Sequence, residues 1–261
     1  MANRESLMRD LIALGVQPSS VLFVHTAFSK LGPVEGGPRA LIDAVLAVLG
    51  PAGTLVMPSM ADDDDHPFDA ARSPCRTMGI VADTFWRMPG VLRTDSPHAF
   101  AAFGPEAARI TAPQPVEIPH GMDSPVGRVY ALDGQVLLLG AEQDANTSLH
   151  LAENISGVRY RLRACAMVRG ADGQPQRVEY DEVDHCCQGF ARMDAWLEAR
   201  GLQQRGPVAN ATARLARARD VVDTAVRELR ADETAYLHAP TEACDECDQA
   251  RASIPPKLTS A

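Results

Sequence analysis

The apolar run Gln135-Val136-Leu137-Leu138-Leu139-Gly140 constrains this chain more than any other segment. It is too short for an ordinary helix and has no polar alternation, so it reads as a buried strand. Val21-Leu22-Phe23-Val24 and Thr54-Leu55-Val56-Met57 carry the same signature. The spacers between such runs have helical character. Gly36-Gly37-Pro38 opens and Gly50 closes a helix over 38–49, with proline in the first turn, where its missing N–H costs nothing. Residues 3–14 form another, with Leu7, Leu11, Ile12 and Leu14 on one face and Gly15 as the break. Further helices are expected over 79–88, 186–199 and 209–229. Residues 165–168 and 176–180 read as a hairpin turning at 171–174, and Ala235 to His238 as a last short strand. Stretches 60–76 and 112–128, rich in proline and turn residues, are long loops, and the chain from Ile254 onward is a frayed tail. The layout predicts one α/β domain over 1–261, a mixed central sheet flanked by helices.

Charge narrows the partners. The net charge of −9 and pI of about 5.2 deny the chain the basic footprint that nucleic acid needs. They allow a cationic small molecule, because acidic clefts concentrate cations, although an acidic surface also serves plain solubility. No apolar run approaches the roughly 18 residues of a membrane span. The first residues, Met1 to Ser6, lack the apolar core of an export signal, so a cytoplasmic protein is expected.

Chemistry is expected where the buried strand ends. Asn146 or Thr147 can cap a helix that carries His150 and Glu153 at i and i+3, on one face. An imidazole there suits a general base, and a carboxylate can orient it. Asp184, just before the 186–199 helix, is a second carboxylate for that role, or a plain helix cap. Spacing leaves both carboxylates open as partners of the imidazole. The run Asp62-Asp63-Asp64-Asp65 sits on the first long loop, where a polycation would relieve its self-repulsion. Glu117, His120, Asp123 and Ser124 sit on the second. Of six cysteines, Cys244 and Cys247 form a C-x-x-C knuckle, and Cys186 and Cys187 lie together. These four thiols can hold a tetrahedral structural zinc. Adjacent thiols on a helix diverge, so His185 or His238 is an alternative ligand; free thiols and a redox pair are the rival readings.

Taken together, Leu22 to Ser29, Gly53 to Ser59, Ser96 to Phe100, Asp123 to Gly127 and Asn146 to Glu153 resemble the aminoglycoside 3-N-acetyltransferase family over residues 7 to 250. Asp184 to Cys187 with Cys244 to Cys247 is similar to its type IV branch, which acts on apramycin, gentamicin and tobramycin. The resemblance implies transfer of acetyl from acetyl-CoA to the 3-amino group of a 2-deoxystreptamine ring, hence antibiotic resistance. It implies catalytic roles for His150, Glu153 and Asp184. Coenzyme A is expected along the loop after the first strand, at His25, Thr26, Ser29 and Lys30, and near Gly104. The antibiotic is expected against Asp63, Asp64, Glu117, His120, Asp123 and Asn146. Three other readings fit the same residues: an acetyltransferase for another amine, a zinc hydrolase using His25, His150 and Asp184, and a non-catalytic zinc-stabilised binding module.

Overall fold

The computed structural model describes residues 1–62, 65–170 and 172–256. Asp63 and Asp64, Ala171 in the expected hairpin turn, and the tail from 257 lie outside the described residues. The strands are β1 (Val21–Thr26), β2 (Thr54–Pro58), β3 (Leu92–Arg93), β4 (Phe100–Phe103), β5 (Gln135–Leu139), β6 (Leu162–Arg169), β7 (Pro175–Glu182), β8 (Gln203–Val208) and β9 (Ala211–Arg217). The helices are α1 (Arg4–Leu14), α2 (Gly37–Leu49), α3 (Ile80–Trp86), α4 (Ala107–Ile110), α5 (Pro125–Ala131), α6 (Ser148–Ser156), α7 (Arg192–Glu198), α8 (Ala218–Ala231) and α9 (Asp245–Ala252).

The central sheet is mixed, in the order β3-β4-β2-β1-β5-β9-β8. The three apolar runs form its parallel heart, β2-β1-β5, with antiparallel strands on either side. Successive side chains of a strand face opposite ways, which explains why these runs lack alternation. Phe23, Val56, Val136 and Leu138 pack towards α6 and α8. Leu22, Val24, Leu55, Leu137 and Leu139 pack towards α1, α2 and α3. Both faces are thus covered, as the sequence led us to expect. The separate ribbon β6-β7 is the expected hairpin, in register from Leu162 opposite Glu182 to Arg169 opposite Pro175.

Several expectations are corrected. Ile12 is 58% exposed, so the buried stripe of α1 is Leu7, Leu11 and Leu14. Residues 211–217 are a strand and not part of a helix: they pair with β5 and β8, and tertiary pairing overrides the alanine-rich helical character. Ala235 to His238 forms no strand; Tyr236 and Leu237 are buried there in a turn-rich segment. The second long loop ends at Ser124, whose hydroxyl accepts the Gly127 N–H and caps α5.

Candidate active site

β1 and β5 end side by side, Thr26 opposite Leu139. Beyond them the chain diverges: α2 covers one face of the sheet and α6 the other. A crevice opens at the carboxyl ends of parallel strands where connections split this way. Gly140 makes the exit from β5 feasible. Its φ is +71°, and a Cβ there would lie 3.0 Å from the Ala27 carbonyl oxygen and 3.2 Å from Lys30 Cβ. The crevice holds a pocket of about 370 Å³, lined by His25, Thr26, Pro58, Met60, Thr77, Met78, His120, Asp144, Ala145, Thr147 and His150. A more open depression of about 590 Å³ lies at the other end of the sheet, beside Gly15 and Gln135, with no histidine in its lining.

α6 presents the central pair. His150 Nδ1 lies 2.8 Å from Glu153 Oε2, one helical turn on. Glu153 is completely buried, and an unpaired carboxylate there would cost several kcal/mol. It is not unpaired. Its Oε1 accepts from His185 Nε2 at 2.8 Å and from the Tyr160 hydroxyl at 2.5 Å. Burial works against its charge, but the His150 and His185 hydrogen bonds prevail and hold its pKa at about 2. For His150, burial would drive the proton off. The Cys187 thiol, 3.7 Å from Nε2, and the Glu153 carboxylate outweigh it and hold the imidazole well above its ordinary range.

The neighbouring rings are tuned the other way. His120 stacks on His150 with centroids 5.3 Å apart, and burial takes its pKa down to about 3. His98 bonds the Tyr180 hydroxyl through Nε2 at 2.8 Å and falls to about 4 for the same reason. His25 falls to about 3, again by burial. One imidazole is kept basic among neutral ones, and titratable groups pushed apart in one pocket mark an acid–base site. Cys187 is held at a φ of +58°, a conformation unusual for a residue with a side chain, and this backbone aims its thiol at His150.

The other expected site residues divide sharply. Thr26 and His120 line the pocket. Ser29 and Lys30 are exposed on the adjoining 3₁₀ turn outside its lining, and Lys30 pairs with Glu142 at 3.6 Å. Gly104 sits at the opposite end of the sheet: a Cβ there would meet the Gly53 carbonyl oxygen at 2.2 Å, so close backbone packing accounts for this glycine. Asn146 spends its side chain internally. Nδ2 donates to Gln143 Oε1 at 3.0 Å, and Oδ1 accepts from the Ser148 N–H at 3.2 Å, so it shapes the start of α6 instead of facing a ligand. Glu117 and Asp123 are exposed and outside the pocket lining.

Asp184 makes no hydrogen bond to His150 among the described residues; Glu153 takes Nδ1 instead. Partial desolvation and the nearby Glu182 raise its pKa, and it acts on the imidazole only through space. Asp184→Asn should therefore keep kcat within about fivefold of the parent, because exposed charges are worth about 1 kcal/mol or less. Steady-state kinetics checks this. Tyr160 and Asp144 went unnoticed in the sequence. Tyr160 lies seven residues beyond Glu153, past the end of α6, and no local pattern ties it to that carboxylate.

The cysteines gather in a second centre. Cys186, His238, Cys244 and Cys247 bring one donor atom each within 4.8 Å of one another. Cys186 Sγ is 3.4 Å from Cys247 Sγ and 3.6 Å from His238 Nδ1, and Cys247 Sγ is 3.8 Å from that nitrogen. Cys187 is not a member: adjacent side chains diverge, its thiol turns to His150, and His238 fills the fourth place. The grouping His25, His150 and Asp184 expected of a zinc hydrolase is not among the metal-ligating clusters of the described residues.

An α/β crevice with a carboxylate-backed imidazole at the end of its parallel strands defines an enzyme of the general-base class. The family model for aminoglycoside 3-N-acetyltransferase matches residues 23–230. Aminoglycoside N(3)-acetyltransferase IV from Salmonella sp is 51% identical over 240 residues, covering 91% of each chain. A solved structure of a histidine-to-alanine mutant of aminoglycoside acetyltransferase AAC(3)-IVa, in complex with a gentamicin, matches with a TM-score of 0.94 at 49% identity, covering 97% of this chain and 98% of that one. AAC-IIIb, in a binary complex with CoASH, matches with a TM-score of 0.79 at 28% identity, covering 88% and 97%. The chain belongs to the aminoglycoside 3-N-acetyltransferase family, and it is an acetyltransferase.

Proposed function

We propose that this protein moves the acetyl group of acetyl-CoA onto the 3-amino group of a 2-deoxystreptamine aminoglycoside, with apramycin, gentamicin and tobramycin as acceptors. The observation that carries this reading is the His150–Glu153 pair at the pocket, in a chain 51% identical to an aminoglycoside N(3)-acetyltransferase. The acceptor amine reaches the pocket as an ammonium and must lose a proton before it can attack. His150 Nε2 accepts that proton. The freed nitrogen adds to the thioester carbonyl, the C–S bond breaks, and the sulfur takes up the proton that the acylated nitrogen sheds, so that coenzyme A leaves as its thiol. Glu153 stays ionised and stabilises the imidazolium. Direct transfer accounts for the arrangement without an acetylated cysteine. Thr26 and the adjoining turn with Ser29 and Lys30 are the proposed coenzyme A contacts. His120 and the acidic first loop, including Asp63 and Asp64, are the proposed acceptor wall. Asp62, held by the Thr77 N–H and hydroxyl at 2.9 and 3.0 Å, anchors that loop beside the pocket.

Mass spectrometry of apramycin and gentamicin after incubation with protein and acetyl-CoA tests the reading. A gain of one acetyl unit is expected, at a nitrogen that fragmentation assigns to position 3. Unchanged antibiotics, or acetylation of simple amines alone, would sink it.

The cysteine centre is proposed to hold a structural zinc. A tetrahedral ion with Zn–S bonds of about 2.3 Å separates its sulfurs by about 3.8 Å; the Cys186 and Cys247 sulfurs lie 3.4 Å apart, with His238 Nδ1 3.6 and 3.8 Å from them, which suits that geometry. Cys244 is the N-cap residue of α9 and Cys247 lies in its first turn, so one short helix presents both thiols. The free thiols also suit a reducing cytoplasm, which is the proposed location. Metal analysis should find about one equivalent of zinc, falling sharply in Cys244→Ser. Less than a tenth of an equivalent in the parent protein removes the proposal.

A further inference from the structure

Three consecutive side chains reach three different groups. His185 donates to Glu153 through Nε2 at 2.8 Å. Cys186 points away, into the cluster with His238, Cys244 and Cys247. Cys187 turns back and sets its thiol 3.7 Å from His150 Nε2. The middle residue of the segment that buttresses the acid–base pair is therefore a ligand of the proposed metal centre. We infer that occupancy of this centre controls turnover: the ion clamps residues 185–187 against Glu153 and His150 while remaining outside the chemistry. This inference rests on the zinc reading above.

The His185 ring is buried against Tyr160, Phe190 and Tyr236, so the clamp acts on the two cysteines that follow it. Their backbone hydrogen bonds are local, from the Gln188 N–H to the Cys186 carbonyl oxygen, from the Phe190 N–H to the Cys187 carbonyl oxygen and from the Cys187 N–H to His185 Nδ1. The left-handed backbone at Cys187 is uphill for a residue with a side chain and persists only where its surroundings enforce it. The surroundings come from far along the chain. Cys186 meets partners 52 and 61 residues away. A Cβ on Gly189 would fall 1.7 Å from the Tyr236 carbonyl oxygen, so the 236–247 segment lies directly on the start of the 188–191 turn. An ion joining these parts closes long loops and removes the entropy of their separation. Thiol protons leave to buffer as it binds. Without the ion, the clustered thiols lose their shared partner, the strained turn can relax, and Glu153 loses one of its three donors.

The experiment uses the full chain. Bound zinc is removed with a chelator and cobalt(II) is added back in steps, with the cobalt–thiolate absorption reporting occupancy. At each step kcat, both KM values and far-ultraviolet circular dichroism are measured. The expected result is a kcat that rises with occupancy by about tenfold or more, KM values within about threefold, and unchanged secondary structure. Metal-free protein that keeps full kcat, alongside a clear cobalt spectrum on re-addition, overturns the inference and leaves the zinc reading intact. No zinc and no cobalt spectrum overturns the zinc reading and this inference with it. Should stripping unfold the chain, zinc-loaded His185→Phe decides. It should lose about tenfold in kcat at full metal content, with partial rescue in His185→Gln, which retains a donor. Full kcat in zinc-loaded His185→Phe overturns the inference.

Discussion

Replacing His150 with alanine lowers kcat by a factor on the order of 100 or more and leaves aminoglycoside binding close to that of the parent. The ring is the pocket-lining group with an imidazole raised well above its ordinary range, and the other pocket imidazoles are held down near 3. His25 and His120 cannot take over, because each is a far weaker base in its buried site. His120, which stacks on the ring and stands in the proposed acceptor wall, is left in place by the substitution. Burst and steady-state kinetics, with calorimetry for binding, measure the two effects. A variant that turns over within a few-fold of the parent removes His150 from the mechanism.

Glu153→Gln is expected to cost between about 100-fold and 10,000-fold in kcat, with a pH signature of its own. The amide cannot balance the imidazolium that forms when the amine is deprotonated, and its NH₂ group favours the wrong tautomer at Nδ1. The base is competent only once the free imidazole has lost its proton, so kcat/KM in the parent climbs with pH through a pKa well above 6.5. Glu153 on the same helix raises that pKa, as do Cys187 and, through space, Asp184. His120 and His98, from the other side, are neutral at working pH and add little. Removing the Glu153 charge lets the proton leave more easily, so the acid limb moves to lower pH even as the plateau falls. A limb that stays in place, or moves up, contradicts the assignment of Glu153 as the partner of the base. Tyr160 and His185 remain to hydrogen-bond the amide oxygen, so the variant is expected to fold.

The parallel heart of the sheet was legible because burial on both faces leaves its mark in continuous apolar residues such as Val136 to Leu139. The outer strands left no such mark. Residues 211–217 carry two arginines and a threonine among alanines, and their pairing with β5 is decided by contacts more than seventy residues away. The pair His150 and Glu153 was legible because both lie on one turn of one helix. What surrounds them was not. Tyr160 and His185 approach Glu153 from separate segments, and no periodicity encodes that meeting. Asn146 shows a related limit: no local pattern in the sequence shows that the Ser148 N–H and Gln143 use both ends of its side chain. For the cysteines, residue type pointed to a metal and the divergence of adjacent thiols already offered His185 or His238 in place of one of them; the packing of the 236–247 segment selects His238.

The β6-β7 ribbon hangs outside the seven-stranded sheet, yet it supplies Tyr180 to His98 and Glu182 to His120, and its Met167 carbonyl receives the Phe68 N–H from the acidic first loop. Substitutions along this appendage can reshape the pocket wall at His120 without touching the strands and helix that carry the base.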